Sequence, residues 1–293
     1  MNDIWQAIGD AITAASGERC DTAARHPVGG GSINQAWRIG HGPRGWFVKL
    51  NRADRLEMFI AEAEGLEALA AANAIRVPQP LCHGSHGRQS FLVMEYIALH
   101  GSPEPDEFAT ALATMHRHHQ QQYGWHRNNT IGATPQDNTL CDDWCEFWRI
   151  HRLQFQLRLA RRNGAPSRLI DRGMTLAERC DAFFIGYTPL ASVLHGDLWS
   201  GNWGADDQGR PVIFDPAVYF GDHETDLAMM TLFGHPGRHF FDHYDEHFPI
   251  DPGFTTRKTL YNLYHILNHY NLFGGGYDRQ AEGMIEQLLS ELR

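Results

Sequence analysis

Long apolar runs are missing from this 293-residue chain. The longest, such as Phe91–Ile97, fall far short of the ~20 apolar residues that a membrane-spanning helix needs. The first residues also lack a basic segment followed by an apolar stretch and a small-residue cleavage site. We therefore expect no membrane partner and no secretory signal, and we predict a cytoplasmic protein.

Positive charge and cysteine are scarce as well. Lys and Arg total 25 against 35 Asp and Glu, which gives a formal net charge of −10. No run rich in Lys and Arg stands out, so nucleic acid is not an expected partner; a small phosphate-bearing ligand needs only a few local donors. The five cysteines are odd in number and scattered, which is untypical of a secreted disulfide framework.

The length and the apolar content indicate a folded protein with two parts. At roughly 150 residues per domain, the chain is long enough for two lobes around a cleft. Hydrophobic residues make up 42% of it, which is enough for a sizeable core. The Gly- and Pro-rich segment 101–105 marks a plausible boundary. We therefore predict an N-terminal lobe over residues 1–97 and a C-terminal lobe over residues 98–293.

Hydrophobic periodicity predicts an α+β lobe that is followed by a larger, mainly helical lobe. In the first lobe we expect helices over residues 3–16 and 59–72 and strands over residues 33–39, 46–50 and 91–97. Beyond residue 106 we expect helices over residues 108–119, 144–162, 167–184, 222–233, 255–272 and 278–292. Two short strands, over residues 192–194 and 212–214, interrupt these helices.

The most informative segment runs from His195 to Asn202. Asp197 follows a short apolar strand, Asn202 comes five residues later, and Asp215 ends the next strand. This spacing is that of a phosphotransferase loop, in which the first Asp orients the attacking hydroxyl and takes its proton. Asn202 and Asp215 offer the oxygen ligands that Mg²⁺ prefers.

The other parts of such an enzyme lie upstream in the expected order. The run Gly29–Gly31 could let backbone amides approach phosphates. Lys49 ends a strand and can reach the phosphates, and Glu62 on the next helix can pair with it. Each feature alone is weak, because glycine runs are usually turns and strand-end lysines are usually solvated. Their joint occurrence in this order indicates a kinase.

These residues also resemble a known family. The strings His195-Gly-Asp-Leu-Trp-Ser-Gly-Asn202 and Asp215-Pro-Ala-Val-Tyr-Phe-Gly221 are similar to those of the fructosamine kinase (ketosamine-3-kinase) family. That family belongs to the aminoglycoside phosphotransferase and choline kinase branch of the protein-kinase-like fold. Further matches, such as Met58–Glu62, extend the resemblance over nearly the whole chain. The sequence Leu-Trp-Ser-Gly between Asp197 and Asn202 distinguishes this family from aminoglycoside kinases.

The resemblance implies a bilobal, protein-kinase-like α+β fold and an enzyme that uses ATP and Mg²⁺. The implied reaction is phosphorylation of a sugar hydroxyl, typically O3, on ketosamines, the adducts that reducing sugars form with free amines or with protein lysines. The phosphorylated product then decomposes and frees the amine. The activity would therefore repair glycated metabolites or proteins.

The resemblance also implies roles for individual residues. Asp197 would be the catalytic base, Lys49 and Glu62 the ion pair, and Asn202 and Asp215 the magnesium ligands. Nucleotide binding would involve the phosphate loop Gly30, Gly31, Ser32 and Ile33, together with Lys49 and the backbone of the hinge Met94, Glu95, Tyr96 and Ile97. Trp199 would form a wall for the sugar, or else brace the loop from the core. Asp226 would orient the catalytic loop. Several family members carry Cys where this chain has Ser32, so a thiol switch at that position is absent here.

Two other functions remain open at this stage. A kinase of aminoglycosides or amino alcohols would share the phosphate machinery and differ only in the acceptor pocket. A nucleotide-binding pseudokinase is disfavoured because the five catalytic and metal-binding residues are intact. We expect a monomer.

Four histidines recur at every fourth residue from His235 to His247 and would line one helix face if that segment is helical. We interpret them, like His116, as helix surface rather than metal ligands.

Overall fold

An antiparallel sheet and two helices form the first part of the molecule. The computed structural model describes residues 4–29, 33–40 and 45–292. The first elements are α1 (Ile4–Ser16), β1 (Arg25–Val28), β2 (Gln35–Ile39), β3 (Trp46–Arg52), α2 (Leu56–Ala71), β4 (Pro80–His86) and β5 (Gln89–Glu95). The strand order is β1-β2-β3-β5-β4, and every neighbouring pair is antiparallel.

The alternation of side chains along β3 decides which residues meet on each face of this sheet. Val48 and Leu50 point to the face covered by α1, where they pack with Ile8 and Ile12. Lys49 lies between them in the strand and therefore points to the opposite face, which α2 covers. Lys49 thus faces the helix that carries Glu62.

The rest of the chain is mainly helical. Its elements are α3 (Pro105–His116), β6 (His119–Gln120), β7 (Asn129–Ile131), β8 (Thr134–Gln136), α4 (Trp144–Phe147), α5 (Phe155–Arg162), α6 (Ser167–Glu178), β9 (Ala191–Leu194), β10 (Trp203–Ala205), β11 (Pro211–Ile213), β12 (Tyr219–Gly221), α7 (Glu224–Met229), α8 (Phe240–His247), α9 (Phe254–Phe273) and α10 (Tyr277–Glu291). A π-helical stretch, Trp148–Gln154, joins α4 to α5. Within the described residues, no helix combines the length and the apolar character needed to cross a bilayer.

Small sheets inside this helical part hold the loops that carry the chemistry. Strand β9 pairs with β6 and β12, and the segment His195–Asn202 leaves its end. Strand β10 pairs with β11, and Asp215 follows two residues after β11. All residues of β9 and β11 are buried, so each loop starts from a fixed backbone.

The structure departs from the sequence prediction at the sheet edges. Strands β1 and β4 were not predicted, and both are edge strands without a regular apolar alternation. Edge strands bury little on either face, so their sequences carry little periodic signal. The predicted strand over residues 91–97 ends at Glu95, and the predicted helix over residues 167–184 ends at Glu178.

The histidine repeat does not lie on one helix. Helix α8 begins at Phe240, and His239 has a left-handed backbone with φ of 68°. His235 and His239 therefore precede the helix, whereas His243 and His247 belong to it. The segment between the first two contains Pro236 and Gly237, which disfavour helix.

The packing of α1 on the sheet generates a stability prediction. Ile12 is fully buried, and its replacement by Ala removes three carbons from the core between α1 and β3. We expect Ile12→Ala to lower the free energy of unfolding in urea by about 2–5 kcal/mol. Ile185→Ala makes the same chemical change at a side chain that is 85% exposed, and should cost less than about 0.5 kcal/mol. Equal losses in the two variants would contradict this packing.

Candidate active site

A buried lysine lies between two carboxylates that come from distant parts of the chain. Lys49 Nζ donates to Glu62 Oε1 at 2.5 Å and to Asp215 Oδ1 at 2.6 Å. The Lys49 and Glu62 side chains are 6% and 10% exposed, whereas that of Asp215 is 45% exposed. Strand β3, helix α2 and the loop after β11 thus meet at one ammonium group.

The charge on Lys49 is stable in this environment. Burial disfavours the ammonium ion, but the Asp215 and Glu62 carboxylates outweigh burial and raise the pKa of Lys49 above its ordinary value. A permanently charged donor that is held by two acceptors is suited to bind phosphate oxygens.

Asp226 holds the backbone of the catalytic loop. Its two carboxylate oxygens accept hydrogen bonds from the amides of His195 at 2.7 Å and Gly196 at 2.9 Å. Gly196 has φ of 82°, and a Cβ there would lie 2.2 Å from the carbonyl oxygen of Ala217. Only glycine fits this position. These hydrogen bonds are the contacts through which Asp226 is expected to orient the loop.

His195 connects the two loops of the site. Its Nδ1 accepts from the amide of Asp197 at 3.2 Å, so the proton is on Nε2, which donates to the carbonyl oxygen of Phe214 at 2.9 Å. Burial lowers the pKa of His195 and keeps the ring neutral. A neutral imidazole therefore bridges the segment that begins at Asp197 and the residue before Asp215.

Asp197 and Asn202 face each other within one loop. Asn202 Nδ2 donates to the Asp197 carbonyl oxygen at 2.8 Å and lies 3.4 Å from Asp197 Oδ2. Burial, followed by the nearby Asp215 and Asp226 carboxylates, raises the pKa of Asp197 to about 7. A carboxylate whose pKa lies near neutrality can accept a proton from a hydroxyl group at physiological pH.

The residues predicted to bind Mg²⁺ fit that ion chemically. The Nδ2 atom of Asn202 is engaged with Asp197, which leaves Oδ1 for a ligand. Asp215 uses Oδ1 for Lys49, and its half-exposed side chain retains Oδ2. The amide of Phe214 donates to the Asn202 carbonyl oxygen at 3.0 Å and ties the two residues together. Two oxygen ligands are the kind of set that Mg²⁺ uses with several waters.

The predicted nucleotide-binding residues are only partly placed. Gly30, Gly31 and Ser32 lie outside the described residues. The carbonyl oxygen of Ile33 accepts from Asn51 Nδ2 at 3.3 Å, which places Ile33, the last residue of the predicted phosphate loop, beside β3.

Two backbone amides of the predicted hinge are bonded within the protein. The Glu95 amide donates to the Gln79 carbonyl oxygen at 2.8 Å, and the Tyr96 amide donates to that of Gly45 at 3.0 Å. Both amides are thus bonded within the protein, because the sheet extends its pairing to this point.

Trp199 is on the surface of the catalytic loop and not in the core. Its ring is 37% exposed and lies against Gly201, where an added Cβ would come within 2.2 Å of the ring. The core-bracing alternative therefore does not describe this residue. An exposed indole in the loop that carries Asp197 is a side chain on which a sugar ring can stack.

Sequence reasoning missed His116. The sequence predicts a helix-surface residue here, whereas the side chain is fully buried, with Nε2 at 3.2 Å from Asp226 Oδ2 and Nδ1 at 2.7 Å from the Tyr244 hydroxyl. The helical spacing of Phe108, Leu112 and His116 on the buried face of α3 was the signal that could have revealed it.

The fold and this constellation define a protein-kinase-like phosphotransferase. The sequence profile of the fructosamine kinase family matches residues 4–291. The chain therefore belongs to the fructosamine kinase family.

Individual relatives agree with this assignment. The chain is 45% identical over 294 residues to a probable ketoamine kinase of Synechocystis, covering 97% of each protein. It is 43% identical over 271 residues to a chloroplastic protein-ribulosamine 3-kinase of rice, covering 91% of this chain and 79% of the relative. The crystal structure of a candidate fructosamine-3-kinase from Haemophilus somnus superimposes with a TM-score of 0.87 at 28% identity, over 97% of both chains.

The role of Asp226 generates a prediction about turnover. In Asp226→Asn, an NH₂ group replaces one of the two oxygens that accept the His195 and Gly196 amides. We expect a loss of about 1–3 kcal/mol in the free energy of unfolding, and a roughly tenfold or greater fall in kcat because the loop shifts. Urea titration and steady-state kinetics measure both. Asp207→Asn, at an exposed position on the β10–β11 turn, is the control and should change neither; an unchanged kcat in Asp226→Asn would contradict the positioning role.

Proposed function

We propose that this protein transfers the γ-phosphoryl group of ATP to a sugar hydroxyl, O3, of ketosamines. The observation that carries this proposal is the convergence of the Lys49–Glu62–Asp215 cluster with the Asp197–Asn202 pair, in a chain that belongs to the fructosamine kinase family. Kinases need these two groups of residues, one for the nucleotide phosphates and one for the acceptor hydroxyl.

On the nucleotide side, Lys49 binds the α- and β-phosphate oxygens, and Glu62 keeps the ammonium in place. Asn202 and Asp215 would hold Mg²⁺ through their side-chain oxygens, and the bound ion would neutralise the charge of the phosphates. Asp215 also pairs with Lys49, so the residue that holds the metal and the residue that holds the phosphates are adjacent. The phosphate loop would supply backbone donors from residues 30–33.

On the acceptor side, Asp197 orients the sugar hydroxyl and accepts its proton. With its pKa raised to about 7, the Asp197 carboxylate is basic enough to accept this proton, and part of it is ionised at physiological pH. Trp199 offers its exposed face as a wall for the sugar ring. Asp226 and His195 keep the loop in the required geometry through the hydrogen bonds described above.

Similarity to the relatives supports the choice of acceptor. Their names describe a ketoamine kinase in Synechocystis and a protein-ribulosamine kinase that acts at position 3 in rice. The proposed acceptors of this chain are therefore fructosamine and ribulosamine adducts on free amines or on protein lysines. Phosphorylation at O3 would lead to breakdown of the adduct and release of the amine. The monomeric state and the cytoplasmic location stay predictions, as do the absence of nucleic-acid and membrane partners.

The base assignment leads to a prediction. In Asp197→Asn the side chain keeps its size and loses its basicity, so kcat should fall by on the order of 10²–10⁴ while nucleotide affinity is largely retained. Asp215→Asn should weaken both turnover and Mg-ATP binding, because it touches Lys49 and the metal site. Steady-state kinetics and direct nucleotide titration separate the two effects. Near wild-type turnover in Asp197→Asn would show that the base is another group.

The acceptor is tested by ADP release with Mg-ATP against a fructosamine, a ribulosamine, an aminoglycoside and choline. We expect turnover on a ketosamine, with the new phosphate located on O3 by NMR. Turnover on the aminoglycoside or choline alone would contradict the proposed acceptor and identify a small-molecule kinase of the other type. ATP binding without turnover on any of them would indicate a pseudokinase.

A further inference from the structure

Helix α2, which carries Glu62, is fastened to the helical part of the molecule by ion pairs outside the catalytic cluster. Arg127, in the loop before β7, lies with Nη1 at 2.6 Å from Glu64 Oε1 and with Nη2 at 2.8 Å from Glu57 Oε2. His126 Nε2 lies 3.1 Å from the other oxygen of Glu64. These four residues join α2 to the loop before β7.

The loop that carries Arg127 is itself bound to the segment after Asp215. Asn129 Nδ2 donates to the Val218 carbonyl oxygen at 2.8 Å, and Gln136 Nε2 donates to that of Ala217 at 3.0 Å. Asn138 Nδ2 donates to the carbonyl oxygen of Arg127 at 3.2 Å. Buried side-chain amides thus fix the base of the arginine to the same backbone that positions Asp215.

Helix α2 also touches this backbone directly. A Cβ at Gly65 would lie 3.1 Å from a methyl carbon of Val218 and 3.8 Å from the ring of Pro216. Gly65 is three residues after Glu62, so the two lie on neighbouring positions of one helix face. The helix is therefore fixed to the Asp215 loop at Gly65 by packing and at Glu57 and Glu64 by charge.

We propose that Arg127 is a positioning residue for the Lys49–Glu62 ion pair, and that without it α2 spends part of its time displaced from Lys49. This inference rests on the proposed function, since it concerns the nucleotide side of that site. One guanidinium holds two carboxylates that are two helical turns apart, which restrains both the position and the rotation of α2.

The charge balance of α2 supports this role. The helix carries acidic side chains at four positions, namely Glu57, Glu62, Glu64 and Glu67. Arg127 neutralises two of them, and its own side chain is 22% exposed. Its removal leaves Glu57 without this ion pair and Glu64 with His126 alone, which weakens the hold of the helical part on α2.

The test compares Arg127→Ala with Arg127→Lys and with the control Glu67→Gln. Glu67 is exposed on the same helix, and no ion pair is found for it among the described residues. We expect Arg127→Ala to raise KM for ATP roughly five- to thirtyfold, with kcat nearly restored at saturating ATP because the nucleotide draws α2 back. Arg127→Lys should recover only part of the loss, since an ammonium group cannot hold both carboxylates in a fixed geometry. Glu67→Gln should match the wild type.

This split between KM and kcat separates positioning from a general structural role. A variant that merely folds poorly would lower kcat with KM unchanged, which would overturn the proposal. A double-mutant cycle adds a second measurement. Glu64→Gln should raise KM for ATP much less in the Arg127→Ala background than in the wild type, because the two side chains share one interaction. Full additivity would overturn the proposal as well.

Direct titration with Mg-ATP distinguishes failure of this inference from failure of the proposed acceptor, because it needs no acceptor. Weaker nucleotide binding in Arg127→Ala, together with faster amide hydrogen exchange over residues 56–71, supports the positioning role even if no ketosamine is phosphorylated. Wild-type nucleotide affinity and exchange in Arg127→Ala would overturn it, even if ketosamine turnover is established.

Discussion

The site depends on how one buried positive charge is balanced. Lys49 lies within the molecule and remains charged because the carboxylates of Glu62 and Asp215 both contact its ammonium group. Those two residues belong to a helix next to the sheet and to a loop in the helical part. An unpaired ammonium in this position would be strongly unfavourable, so packing of the two parts, which brings Asp215 to Lys49 as a second carboxylate, stabilises the folded state. The packing that balances the charge of Lys49 therefore also sets the positions of the catalytic side chains.

Much of the site could be predicted from the sequence, because kinase chemistry requires few residue types at limited spacing. Asp197 and Asn202 lie in one short loop, and a strand ends close to Asp215, so local sequence order fixes their relation. Lys49 and Glu62 are thirteen residues apart, on a strand and on the helix that follows it. The alternation of side chains in the strand already places the lysine on the side of the sheet that the helix covers.

The remaining contacts could not be predicted, because they join residues far apart in the chain through side chains that look ordinary in sequence. His116 meets Asp226 across 110 positions, and Arg127 meets Glu57 across 70. A histidine at the end of a helix or an arginine in a loop is usually solvated. Only the helical spacing with Phe108 and Leu112 marks His116 as buried, and nothing local marks Arg127 as paired. The edge strands were missed for a related reason: their neighbours, and not their own periodicity, make them strands.

The contact at Gly65 has a consequence for how accurately the site is built. Helix α2 approaches residues 216–218 with no side chain of its own in between, so the separation is set by a backbone on one side and a short, branched side chain on the other. Long side chains at an interface can change rotamer and let the spacing drift, whereas this contact has no such freedom. This contact therefore fixes the distance between the helix and the loop. The separation of Glu62 on the helix from Asp215 on the loop can then vary only as much as the main chain itself.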